Sequence, residues 1–531
     1  MREASVTRIL ALVAALCAAT SVSAPAQRAP SLPRDFDTWV TRTLDAFQVP
    51  GAAVAIVKDG RVVLARGYGM RRVGDTSAVD ARTRFGIASN TKAFTATALA
   101  LLVEEGRIEW DAPVVRYLPW FALSDPYVTS QLTVRDLLVH RSGLGLGAGD
   151  LLWWPTSTYD RKEIARRLRY IPLATSFRSA YAYDNVLYTV AGEVIETMSG
   201  ETWERFVQSR IIDRLGMTHT TLLHSDAGEG GNVATTHALV DGAPRVTPPM
   251  LSDNTNPAGG INTGAEDIAR WLIVQLDSGR LADGTRLFAQ RTARELWSLV
   301  TPMRFGTYPA ELAPAQPQFL GYGLGFGITD YRGRKIVTHT GGLPGYVSRV
   351  TLVPSLKLGI AVLTNAEAGE AFDAVTHRVL DHFLGAAPYD WIAAYRTIRQ
   401  RSDSMIAAEE ATTAAARDTA SRPSLPLARY AGTYTDAWYG DVTVTEADGG
   451  LRIAMAATPE LAGPLVHWQF DTFVARWDGR ENMSRELRAD AFVTFQLGPD
   501  GAIEQVKMRA VSPATDFSFD FHDLLLKPKN R

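Results

Sequence analysis

The chain has 531 residues, of which 46% are hydrophobic and 21% charged, enough for two or three domains with sizeable cores. Its 55 basic and 57 acidic residues leave a formal charge of −2, which argues against a nucleic-acid partner, since that would need a basic face. The single cysteine, Cys17, excludes a disulfide framework and, once the N-terminus is removed, a thiol nucleophile.

Taken in chain order, residues 1–26 read as an export signal. Arg2 and Arg8 precede the apolar run from Ile9 to Ala19, and Ala24-Pro25-Ala26 offers a small-residue cleavage site before Gln27. The run is too short to span a bilayer, so no stable membrane span is expected after cleavage, and a periplasmic or secreted location is. Ala53 to Gly69 predicts a β-hairpin around the turn Asp59-Gly60. From Ser89 to Glu105 the pattern turns helical and Gly106 ends it. Loops and short helices fill about 110–300. Strands return at Lys335–Thr340, Tyr346–Val353 and Gly359–Thr364, which predicts one sheet built from both ends of the domain with helices packed on it. Residues 396–427 shift to Ala, Thr, Ser, Asp and Glu and close on Pro423 and Pro426, a linker or polar helix. Beyond it, 428–531 alternate in strand fashion around Asp448-Gly449-Gly450, Trp468–Trp477, Phe492–Leu497 and Pro499-Asp500-Gly501. That predicts a small antiparallel β domain.

The candidate for chemistry is Ser89-Asn90-Thr91-Lys92, which taken alone also reads as a serine N-cap followed by a solvated lysine. A serine is a weak nucleophile until a base takes its proton. One turn of helix brings Lys92 to the same face as Ser89, and the helix N-terminus favours an oxyanion. Among the eight lysines, Lys92 alone has a serine three residues before it. Metal-ligand spacings among the histidines and cysteine are absent, so neither metal nor cofactor is expected, and the missing Gly-x-Ser-x-Gly argues against an α/β-hydrolase.

Ser89-Asn90-Thr91-Lys92, Tyr183-Asp184-Asn185 and His339-Thr340-Gly341-Gly342 follow the order of the Ser-x-x-Lys, Tyr-x-Asn and Lys-Thr-Gly corners of an acyl-transfer site. Similar flanks are Leu132–Leu144, Pro257–Thr263 with Asp267, Tyr322–Phe326 and Val362–Asn365. From about Phe36 to Phe383 the chain resembles the serine β-lactamase-like hydrolases, in the branch of class C β-lactamases, D-alanyl-D-alanine carboxypeptidases, D-aminopeptidases and esterases. The resemblance implies an α/β, β-lactamase/penicillin-binding-protein-like fold over 27–395: an antiparallel sheet flanked by helices plus a helical subdomain. The C-terminal part resembles lipocalin-like appendages, which cap a site, mediate a homo-oligomer or bind ligand.

The resemblance also implies roles. Ser89 attacks an acyl carbon, Lys92 and Tyr183 share base duty, and Asn185 holds Lys92 and a substrate carbonyl. The backbone N–H groups of Ser89 and Gly342 form the oxyanion hole, and Thr340, Gly341 and Gly342 bind substrate along a strand edge. A literal Ser252-Asp253-Asn254 competes for the middle corner, but its flanks fit less well than those of Tyr183. His339 stands where β-lactamases carry lysine. Histidine titrates near neutrality and is a pH-dependent anion partner, which favours a peptidase, amidase or esterase over a dedicated β-lactamase. His140 reads as structural; Trp153-Trp154 and Trp120-Phe121 read equally as acyl-pocket lining or core. The expected substrate is a small molecule or peptide, with amide or peptide cleavage of D-residue-containing peptides first. Ester hydrolysis, weak lactam hydrolysis and non-catalytic binding of peptidoglycan-like ligands are the alternatives.

Overall fold

In the computed structural model, residues 31–228 and 230–529 are described; the expected export signal over 1–26 lies outside them. The first helix among the described residues is α1 (Phe36–Phe47), whose apolar face carries Phe36, Trp39, Val40, Leu44 and Phe47. The hairpin β1 (Gly51–Lys58) and β2 (Arg61–Gly69) follows. Its turn residues Asp59 and Gly60 both have positive φ, 51° and 73°, the left-handed pair that matches strand twist and explains the Asp-Gly there.

Ser89 then lies in a short 3₁₀ turn, Ala88–Thr91, which runs into α2 (Lys92–Glu104). Gly106, at φ 69°, lies just past its end. Turns and short helices occupy the region up to residue 300, the longest being α3 (Val186–Ser199) and α4 (Ala265–Leu276). Six strands complete the sheet: β3 (Thr301–Pro302), β4 (Leu320–Tyr322), β5 (Gly327–Tyr331), β6 (Arg334–Leu343), β7 (Tyr346–Val353) and β8 (Leu358–Thr364).

These strands form one antiparallel sheet in the order β2-β1-β8-β7-β6-β5-β4-β3. The N-terminal hairpin therefore sits beside the last strand, as expected. The three short strands β3 to β5 are an addition to the expected sheet; too brief to show alternation, they are added in turn, β5 on the edge of β6, β4 on β5 and β3 on β4. Every residue of β8 is buried, which requires cover on both faces. Helix α4 packs on β1 and β8, while α5 (Gly369–Leu384) packs on β7, β8 and α1.

Helix α6 (Trp391–Ala415) spans the expected boundary at 395 and carries most of the expected linker. Eight strands follow: β9 (Gly432–Asp436), β10 (Gly440–Ala447), β11 (Gly450–Met455), β12 (Ala462–Gln469), β13 (Thr472–Ala475), β14 (Ala491–Leu497), β15 (Ile503–Ala510) and β16 (Lys527–Pro528). They pair antiparallel in the order β15-β14-β13-β12-β11-β10-β9-β16. Val506 of β15 exchanges backbone hydrogen bonds with Leu526, just before β16, so the sheet closes into a barrel and no long edge is left open. The strand-like stretch Trp468–Trp477 holds the end of β12 and the whole of β13, joined by a turn. Phe470 takes a left-handed φ of 46° in the turn, and Asp471 accepts from the N–H and hydroxyl of Ser424. From Pro33 on, the described residues form one compact unit, so the barrel is packed against the rest rather than tethered to it. Among the described residues, no helix is long and apolar enough to cross a membrane.

Asp136 shows how the loop before the site is held. It is fully buried and accepts from the Thr133 N–H (3.0 Å) and hydroxyl (2.7 Å), from Arg141 Nε (2.8 Å) and from Arg178. Asp136→Ala is expected to destabilise the chain by about 1–3 kcal/mol in denaturant unfolding, the cost of a buried Thr133 N–H without an acceptor. The two arginines, partly exposed, add little.

Candidate active site

Three elements meet at Ser89. Ala88 holds a left-handed φ of 48°, unusual for a residue with a side chain, and this kink turns the half-buried Ser89 toward a cavity. The turn is fastened from both sides. Ile87 N–H donates to Ile261 O (2.9 Å). Ser348 Oγ of β7 donates to Ile87 O (2.8 Å) and accepts from Asn90 Nδ2 (2.8 Å).

Lys92 is completely buried at the first turn of α2. Its Nζ lies 3.0 Å from Ser89 Oγ, 2.7 Å from Asn185 Oδ1 and 3.0 Å from Ala258 O. Burial pushes the ammonium down to about 7, against the opposing pull of the Asp150 and Asp184 carboxylates. In the amine form two N–H groups satisfy Asn185 and Ala258, and the lone pair is left facing the Ser89 O–H. That arrangement can take a proton from the nucleophile. The rings of Tyr183 and Tyr188 stand 5.0 and 5.2 Å from Nζ.

Asn185 precedes α3. Its Oδ1 meets Lys92 and its Nδ2 donates to Asp150 Oδ2 (2.8 Å). The literal Ser252-Asp253-Asn254 is used elsewhere: Asp253 accepts from Ser225, and Asn254 donates to Tyr159 O and Ser157 Oγ. Tyr183 interacts with the Ser89 side chain, and burial raises its phenol well above the ordinary value, so it stays protonated. Beneath it, the His140 ring packs against Tyr183, Tyr322, Tyr181 and Tyr188 at 4.3 to 5.7 Å. Its Nδ1 accepts from the Asp184 N–H.

Strand β6 supplies the third side. Thr340 and Gly342 are exposed along the cavity, and Gly341 is buried against the nucleophile turn. A Cβ on Gly341 would lie 2.2 Å from Ile87 O and 2.7 Å from Ser348 Oγ, so only glycine allows this approach. His339 departs from the expected near-neutral titration. Its Nδ1 donates to Thr340 O and its Nε2 accepts from the Tyr322 hydroxyl at 2.6 Å. Burial drives its pKa down to about 3, so it stays neutral and is not a pH-dependent anion partner.

The cavity, about 830 Å³, runs from Ser89 past Tyr183, Trp154 and β6 to a wall built by α6 and the barrel. Trp154 lines it, whereas Trp153 turns away and donates to Asp150 Oδ1 (2.8 Å). Trp120 lies under Lys162 and Arg166, and Phe121 is core. The far wall carries Glu367, Glu370, Asp403, Glu486 and Asp516 against Arg399 and Arg485. Sequence reasoning misses Asp150, Tyr322 and the Ala258 carbonyl, although the family-like segments Pro257–Thr263 and Tyr322–Phe326 contain the last two. Among the described residues, no group of three or more His, Cys, Asp or Glu is placed to hold a metal ion.

A family model described as Beta-lactamase matches residues 36–383. The chain belongs to the β-lactamase family of hydrolases. A second model, Domain of unknown function (DUF3471), matches 416–528, the barrel with the end of its lead-in. This β-lactamase-family chain is 30% identical over 482 residues to Unguisins hydrolase ungD of Aspergillus violaceofuscus, covering 85% of this chain and 84% of that one. Among solved structures it is similar to the octameric penicillin-binding protein homologue from Pyrococcus abyssi. The TM-score there is 0.58 at 20% identity, over 93% of this chain and 99% of that one. It is also similar to the D-amino acid amidase from Ochrobactrum anthropi SV3, with TM-score 0.54 at 22% identity over 66% and 99%.

Proposed function

We propose that this β-lactamase-family hydrolase is exported and cleaves amide or peptide bonds at D-amino-acid residues through an acyl-enzyme on Ser89. The observation that carries the reading is Lys92, fully buried, with two hydrogen-bond acceptors fixed and its remaining valence aimed at Ser89 Oγ. Ser89 Oγ adds to the carbonyl carbon as its proton passes to Lys92 Nζ. The oxyanion is held by the N–H groups of Ser89 and Gly342. Tyr183, protonated and beside Ser89, passes a proton to the leaving nitrogen and is recharged from Lys92. The C–N bond breaks and the amine departs. Water then adds to the ester carbonyl, giving its proton to Lys92, and Ser89 leaves with a proton as the acid is released. The base duty thus falls chiefly on Lys92, with Tyr183 as the proton relay.

Three features support the substrate class. The name of the Ochrobactrum amidase points to amide chemistry at D-amino acids, and that of the fungal relative to hydrolysis. Neutral His339 supplies no cation for a substrate carboxylate at its corner of the site. The far wall sets five acids against two arginines, which suits a substrate bearing an ammonium better than one bearing a free acid; burial raises Glu367, Glu486 and Asp516, so Glu370 and Asp403 carry most of that charge.

The test combines a fluorophosphonate probe with a substrate panel. Wild type is expected to carry the adduct on the peptide containing Ser89, and Ser89→Ala to carry none. D-amino-acid amides are expected to turn over faster than p-nitrophenyl esters, cephalosporins or peptides recognised by a free C-terminus. A folded wild type that takes no label, or one that prefers cephalosporins, overturns the reading.

A further inference from the structure

The barrel reaches into the catalytic hydrogen-bond network through the loop between β15 and β16. Ser518 in that loop is buried and donates from Oγ to Asp150 Oδ2 at 2.9 Å. The same carboxylate oxygen accepts from Asn185 Nδ2, and Asn185 Oδ1 meets Lys92 Nζ. Two residues on, the fully buried Asp520 accepts from the backbone N–H groups on either side of Asp150, from Gly149 at 2.7 Å and Leu151 at 3.0 Å. Aromatic contacts lie alongside: Phe517 meets the Tyr183 ring edge-on at 6.0 Å, and Phe519 meets Trp154 at 6.5 Å. The loop therefore grips Asp150 by its side chain and by both flanking amides.

We infer that Ser518 and Asp520 are positioning residues for the acylation step, acting on Ser89 through the relay Ser518–Asp150–Asn185–Lys92. The barrel is then one half of the catalytic framework rather than an appendage. A primary amide rotates freely about its last bond unless both ends are held, and Asn185 must present oxygen, not nitrogen, to Lys92. Asp150, an acceptor for the Asn185 N–H, decides that orientation. Asp150 is itself fixed only because Trp153, Ser518 and Asp520 occupy its remaining freedom.

The relay also sets charge. Lys92 is faced by the Asp150 and Asp184 carboxylates, by the Tyr183 and Tyr188 phenols, and by His140, His224 and His339; Asp150 is faced in addition by Asp520. The Ser518 bond favours the ionised form of Asp150, and ionised Asp150 favours the ammonium of Lys92. Weakening the relay therefore makes Lys92 lose its proton at lower pH.

The inference rests on the Ser89–Lys92 reading above, and the test separates the two. The rate of Ser89 acylation by a fluorophosphonate is followed by mass spectrometry across pH in the full chain for wild type, Ser518→Ala, Ser518→Thr and Asp150→Asn. Ser518→Ala is expected to lower the limiting acylation rate about tenfold with half-saturation unchanged, the loss of one hydrogen bond to a charged acceptor. Its acid limb is expected to move to lower pH, and Ser518→Thr to restore both. Asp150→Asn is expected to move the limb in the same direction, which reads the relay even if Ser518→Ala folds poorly. A labelled wild type whose Ser518→Ala and Asp150→Asn variants keep its rate and limb overturns this inference alone. A wild type that takes no label overturns the nucleophile reading and this one with it.

Discussion

Lys92→Met is expected to lower kcat/KM by about 10³-fold or more while the fold, followed by its melting transition, survives. Nothing else around Ser89 can replace the base. Tyr183 is held protonated by burial, and burial pushes the imidazoles of His140, His224 and His339 down, which leaves them weak bases. The wild-type pH profile carries the complementary signature. Burial lowers the Lys92 ammonium to about 7, so below that pH the proton occupies the lone pair that Ser89 needs, and above it the amine is free. The expected kcat/KM therefore rises with pH through about 7 and levels off. The limb belongs to the coupled set of Lys92, Asp150 and Asp184 rather than to one residue. A profile still rising steeply at pH 9 shows a lysine of ordinary basicity and overturns its role as a neutral base at physiological pH. A Lys92→Arg variant is expected to be as inactive as Lys92→Met, since a guanidinium keeps its charge.

Gly341→Ala is expected to cost about 10²–10³-fold in kcat, the scale of one lost oxyanion donor, with a destabilisation of about 1–3 kcal/mol from overpacking. The added methyl would lie 2.2 Å from Ile87 O, 2.7 Å from Ser348 Oγ and 3.0 Å from Ala88 Cβ. None of these atoms can retreat cheaply. Ile87 O is backbone already engaged by Ser348, and Ala88 is the kink that aims Ser89. Strand β6 must therefore move off the nucleophile turn, and the Gly342 N–H moves away from the Ser89 N–H. Gly342→Ala is the control for stability, because a Cβ there meets nothing within 4 Å. Equal losses of kcat and of melting temperature in the two variants would overturn the close-approach argument.

Much of this protein was legible from the order of its residues. The hairpin turn at Asp59-Gly60 follows from a rule of local conformation, and the strands at Tyr346–Val353 and Leu358–Thr364 from apolar runs of strand length. The spacing of Ser89 and Lys92 is legible too, because three residues of helical turn suffice to bring them together. Choosing Asn185 over Asn254 required only the flanking pattern, and Asn185 is the residue that meets Lys92.

Other features were invisible for a physical reason: they depend on contacts between residues far apart in the chain. The ordinary basicity of Lys92 is overridden by burial, to which the segments around Asn185 and Ala258 contribute. His339 looked like a group titrating near neutrality; the Tyr322 hydroxyl, the Thr340 carbonyl and the loss of water hold it neutral. Asp150 carries no motif at all. Its place beside Asn185 is decided by a serine 368 residues later, because the barrel closes against the hydrolase layer and presents Ser518 there. The sequence by itself pointed to the Ser89–Lys92 pair and to a sheet-and-helix part followed by a β domain, since these are carried by short spacings, local periodicity and the family-like motifs around them. The tertiary structure alone decided the protonation of the site and the barrel's part in it, because desolvation and long-range hydrogen bonds exist only once the chain has packed.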